Sequence, residues 1–109
     1  MLKKDEFFNE VDKTYDDWHS KTLDETRERC EAAIDKKLSE LKELAKQGHN
    51  FGTLKKEGIQ TDEIIIPGKD ILENIQSEIR ENGYDVEIVQ LIPSEQPYCS
   101  EFKIRIVIQ

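Results

Sequence analysis

The sequence predicts an α+β fold: an N-terminal helical hairpin followed by a helix packed on a small, mainly antiparallel sheet. Three observations carry this. Residues 101–109 alternate, placing Phe102, Ile104, Ile106 and Ile108 on one face of a strand and Lys103 and Arg105 on the other. A second apolar run, Val86 to Ile92, precedes it after the helix stop Asn82-Gly83, so a C-terminal β-hairpin follows a helix. The N-terminal half instead shows helical spacing throughout.

Residues 4–19 read as a first helix, with Phe8, Val11, Tyr15 and Trp18 at 3-4-3 spacing and Phe7 beside them. A break is expected at His19-Ser20-Lys21, because Thr22-Leu23-Asp24-Glu25 has the form of a capping box. The second helix then runs from Leu23 to about Gln47, its stripe formed by Cys30, Ile34, Leu38, Leu41 and Ala45, and Gly48 ends it.

About 25 helical residues span about 37 Å, whereas a compact domain of this size has a radius of gyration near 13 Å. Such a helix overhangs its own domain. The first helix folding back covers part of its stripe, and a second copy of the chain covers the rest, so a homo-oligomer is expected.

Residues 49–68 read as a loop with one short strand: Glu63-Ile64-Ile65-Ile66, stopped by Pro67, reads as an edge strand, with the entry to the next helix as the alternative. The next helix covers Lys69 to Asn82 with Ile71, Leu72, Ile75 and Ile79 inward, and Gly83 closes it in the left-handed conformation. A loop from Pro93 to Ser100 joins the two strands of the hairpin. At 109 residues the chain is one domain, 1–109.

Composition bounds the function. The net charge is −8, with 10 Lys/Arg against 13 Asp/Glu in residues 1–48 and 6 against 11 in residues 49–109. No basic stripe exists to release counterions from phosphates, so direct DNA or RNA binding and adhesion to anionic membranes are not expected. An acidic surface suits a basic partner protein. No apolar run approaches the ~20 residues of a membrane span and no signal-peptide pattern is present, so a reduced, cytoplasmic setting is expected. Cys30 falls on an apolar helix face and Cys99 in a loop, and no bridge between them is expected.

No catalytic constellation emerges, and no cofactor is implied. Asp16-Asp17-Trp18-His19 gathers metal-binding side chains, but successive helical positions diverge by ~100°, so no metal site is expected. Neither cysteine has a histidine near it in sequence, and the carboxylates read as a solvated coat. The chain reads as non-enzymatic.

One loop has the ingredients of an anion site. Gly48-x-x-x-Gly52-Thr53-x-Lys55-Lys56 offers backbone amides, a hydroxyl and two lysines, although it lacks the Walker pattern. Lys69 at the start of a helix and Arg105 on the polar strand face could join it, with Phe51 or Tyr98 stacking on a base. The candidate ligand-binding set is therefore Phe51, Thr53, Lys55, Lys56, Lys69, Tyr98 and Arg105, for a small anionic nucleotide.

The charged helical half ending in Ala45-Lys46-Gln47-Gly48, then a helix closing on Asn82-Gly83-Tyr84-Asp85-Val86 and a terminal strand with alternating Ile, resembles small accessory proteins of bacteriophages and prophages. The resemblance covers residues 23–109. It implies an α+β fold, a location in the host cytoplasm, and host takeover or counter-defence by binding. The partner is then a basic host effector protein or a nucleotide sequestered in an oligomer. A virion or assembly component is the alternative. No catalytic residue is carried over.

Overall fold

A computed structural model describes residues 1–96 and 100–108. The elements are α1 (Lys4–Lys46), α2 (Phe51–Glu57), β1 (Ile59–Gln60), β2 (Ile64–Pro67), α3 (Lys69–Glu81), β3 (Asp85–Ile92) and β4 (Glu101–Ile108). The α+β class and the C-terminal β-hairpin stand as the sequence predicts.

The N-terminal helical hairpin does not form. α1 is one unbroken helix of 43 residues. His19-Ser20-Lys21 contains neither glycine nor proline, so nothing in the backbone stops the helix there. Thr22 lies in mid-helix, buried, with its carbonyl accepting the Thr26 hydroxyl at 2.7 Å. Thr22, which reads as a cap, instead joins Thr26 as one of two small threonines on the packed face of a longer helix. At its far end the stop holds: Gly48, at φ 97°, donates to the Ala45 carbonyl at 3.1 Å.

β4 is the central strand. β3 pairs with one edge of it, while β1 and β2 pair with the other at different heights, all antiparallel. β2 and β3 are thus parallel to each other, joined by α3, with β4 between them. Registers Ile64↔Ile104, Ile66↔Phe102 and Val86↔Ile106 put the apolar residues of three strands on one face.

β1 and β2 are one edge broken at residues 61–63, and Thr61 bridges the gap. Its amide donates to the Ile106 carbonyl at 3.0 Å, and its hydroxyl accepts from the Ile106 amide at 3.0 Å. The side chain thus replaces a carbonyl that has left the ladder. In β3 the register shifts between Ile88 and Gln90, a β-bulge at Val89.

The core lies under α1 and α3: Cys30, Ile64, Ile66, Ile71, Leu72, Ile75, Ile79, Ile104 and Ile106 are buried together. α3 ends as expected, with Gly83 at φ 89° donating to Arg80 and Tyr84 donating to Ile79. Residues 51–57, read from sequence as loop, form a short helix capped by Asn50, whose side chain accepts from the Thr53 amide at 2.9 Å.

α1 runs parallel to α3, since Tyr15 meets Asp70 near the start of α3 and Arg27 meets Glu78 near its end. It is too long for the body it packs on. The molecule extends 69 Å along its major axis, with a radius of gyration of 18.3 Å against about 13 Å for a compact chain this long. The overhang expected from the sequence exists, but no first helix folds back to cover it.

Candidate binding surfaces

The predicted anion site does not assemble. β1, which follows α2, pairs with the end of β4 at Ile108, whereas Pro67, just before Lys69, pairs with its beginning at Glu101. Lys69 and α2 therefore sit at opposite ends of an eight-residue strand, about 23 Å apart along it.

The individual groups are also engaged locally. The Thr53 hydroxyl donates to the Asn50 side chain at 3.2 Å, as part of the cap. Lys55 stands 5.8 Å over the exposed Phe51 ring, and Lys56 is exposed on the same short helix. Lys69 is 4.0 Å from Glu73, and Arg105 reaches Glu63 at 3.4 Å on the polar face of the sheet. Tyr98 lies outside the described residues, as do Pro97 and Cys99.

The remaining chemical candidates resolve as follows. Cys30 is 4% exposed, and burial pushes its thiol up to about 11, so it is a packing residue and a poor nucleophile. Among the described residues no three His, Cys, Asp or Glu side chains are grouped to hold a metal ion. No helix among them is long and apolar enough to cross a membrane.

What the fold does bring together is a cleft of about 400 Å³ between α1 and the C-terminal part of α3. Its floor is apolar: Cys30, Ile34, Ile75, Ile79 and Tyr84. Its rim is acidic, with Glu31 and Asp35 one turn apart on α1 and Glu81 across from them on α3. Arg27, the cation in its wall, is already committed to Glu78 at 2.6 Å and to Asp24 at 2.8 Å. Among the described residues no side-chain hydrogen bond or ion pair engages Glu31, Asp35 or Glu81.

An apolar floor under unpaired carboxylates fits an aliphatic stem carrying a cationic head. Tyr84 adds an aromatic wall for a guanidinium. Residues 69–96 as a whole carry seven carboxylates against Lys69 and Arg80. Sequence reading missed this cleft because its two walls lie far apart in the chain. The one signal was Glu31 and Asp35 flanking Ile34 at i, i+4 spacing beside a buried stripe.

Two apolar surfaces stay open. In β3, Ile88, Val89 and Leu91 are exposed beside a free strand edge. On α1, Phe7, Phe8, Val11, Tyr15 and Trp18 are each about half exposed, between 47% and 54%. Comparison with known proteins finds no matching family model, no matching curated protein and no matching solved structure.

Proposed function

We propose that this is a non-enzymatic binding protein, a small phage-type accessory protein that acts in the host cytoplasm by engaging a basic host protein. The observation that carries the reading is the α1–α3 cleft, where Glu31, Asp35 and Glu81 stand unpaired over an apolar floor. A lysine or arginine of the partner enters with its stem on Ile34, Ile79 and Tyr84 and its charge among the carboxylates. The chain's net charge of −8 steers the approach. The nucleotide reading has less support, because within one chain Lys55 and Lys56 lie at the opposite end of the sheet from Lys69.

Affinity capture from a bacterial lysate tests this, comparing the natural chain with an Asp35→Lys/Glu81→Lys variant. The expected result is a basic protein retained by the natural chain, released by about 0.5 M salt and lost in the variant. Equal capture by both, or retention indifferent to salt, contradicts it.

A further inference from the structure

The N-terminal stretch of α1 is a helix without a body. Residues 4–14 lie ahead of Tyr15, whose hydroxyl meets Asp70 at the start of α3 at 3.3 Å, and the first residue of α1 to be buried is Thr22. Phe8, Val11, Tyr15 and Trp18 recur at 3-4-3 spacing and run in line with Thr22, Thr26 and Cys30, which α3 and the sheet cover further along. This spacing is the seam of a coiled coil, which keeps facing a straight partner. A helical stretch of about 15 residues is marginal alone in water, so the arm calls for cover.

At its root lies a second cavity of about 350 Å³, lined by Tyr15, Trp18 and His19 of α1 and by Pro67 to Ile71 at the β2–α3 junction. The cavity opens where the seam meets the body. Seam and cavity thus form one continuous apolar surface.

We propose that this surface is the contact between two copies of the chain, with their arms packed antiparallel. Sterics set the orientation. The face that carries the seam is the face on which each copy's own α3 sits further along, so parallel arms would drive the two bodies into the same space. Antiparallel arms leave the bodies at opposite ends.

The a-to-d pairing then places Phe8 of one copy against Trp18 of the other, and Val11 against Tyr15. Phe7 and Phe8 of each copy fill the cavity of its neighbour. Charge agrees: Lys3 and Lys4, just ahead of the phenylalanines, arrive beside Asp70 and Glu73. Area agrees as well. Covering the open half of five such side chains removes about 500 Å² per copy, roughly 1,000 Å² in all before the cavity walls are counted, which reaches the lower bound for a specific interface. The contact uses none of the α1–α3 cleft, so it stands or falls independently of the proposed partner.

Native mass spectrometry at micromolar concentration reads the assembly. The natural chain is expected at twice 12.8 kDa, and Val11→Glu, which puts a charge in the middle of the seam, at 12.8 kDa. A cysteine test in a Cys99→Ser background reads the orientation. Oxidised Val11→Cys/Tyr15→Cys should form a covalent dimer, while Val11→Cys alone should not, because the two Val11 positions lie about 6 Å out of register. A natural chain at 12.8 kDa, a Val11→Glu dimer, or a covalent dimer from Val11→Cys alone overturns the proposal.

Discussion

Arg27 and Glu78 make a two-pronged ion pair, Nε to Oε2 at 2.8 Å and Nη2 to Oε1 at 2.6 Å, that fastens α1 to α3. Planar matching of this kind fixes both distance and angle between two helices that also meet through apolar side chains and the Tyr15–Asp70 hydrogen bond. The hydrogen bonds from Arg27 hold the Glu78 carboxyl below its ordinary value of 4.5. A carboxyl depressed by folding contributes stability above its unfolded pKa and loses it as pH falls through the folded value. Both side chains are more than a third exposed, so screening keeps the contribution to about 1 kcal/mol. Glu78→Gln should therefore lower the thermal midpoint at pH 7, and the gap should start to narrow as pH falls below the ordinary value of 4.5 and vanish only below the depressed folded one. Melting curves of both proteins across pH 3 to 7 check this; a gap that persists in acid would assign the loss to packing.

Thr61 should be intolerant of losing its hydroxyl. It is 3% exposed, and its oxygen is the partner of the Ile106 amide on the central strand. Thr61→Val keeps the shape and leaves that buried N–H unpaired, at a cost of about 1–3 kcal/mol. Thr61→Ser retains the bond and should cost less. Urea unfolding of the two variants separates hydrogen bonding from volume.

Cys30 should resist alkylation in the native protein. Burial raises its thiol to about 11, leaving little thiolate at pH 8, and only 4% of the residue is exposed on the floor of the cleft. Peptide mapping after iodoacetamide treatment should show Cys30 modified only once denaturant is added. Rapid native modification would mean that α1 lifts from the body.

Proline at Ser20 should be poorly tolerated. In a hairpin turn at residues 19–21 it would be harmless. In a continuous helix it removes an intrahelical bond and clashes with the preceding turn, about 3 kcal/mol of local cost. Far-UV circular dichroism should record a loss of helix in Ser20→Pro, and unchanged ellipticity would restore the turn.

The elements after residue 68 were legible because their patterns were unambiguous. α3 had a 3.6-residue period and a glycine stop, and β4 had strict alternation. The bulge in β3 left a mark that a strand prediction alone does not use: apolar positions move from Val86 and Ile88 to Leu91, a change of parity that one extra residue explains. α1 was misdivided because a threonine three residues before a glutamate has the same form as a cap and as a helix interior. Only the absence of a helix breaker distinguishes the two. The anion site failed for another reason. Residue type marked Lys55, Lys56, Lys69 and Arg105 as suitable, but their separation is set by strand register, which the sequence of a loop does not encode. The acidic cleft was hidden by the same non-locality, its walls contributed by Glu31 and Glu81.

The claim beneath both proposals is that α1 is a single rod. Nitroxide labels on Asn9→Cys and Glu43→Cys, in a Cys99→Ser background diluted with excess unlabelled chain, measure it through their dipolar coupling. An unbroken helix sets 34 residues between the labels, about 51 Å. A distance of about 20 Å, as two antiparallel helices folded at residue 20 would give, contradicts the account.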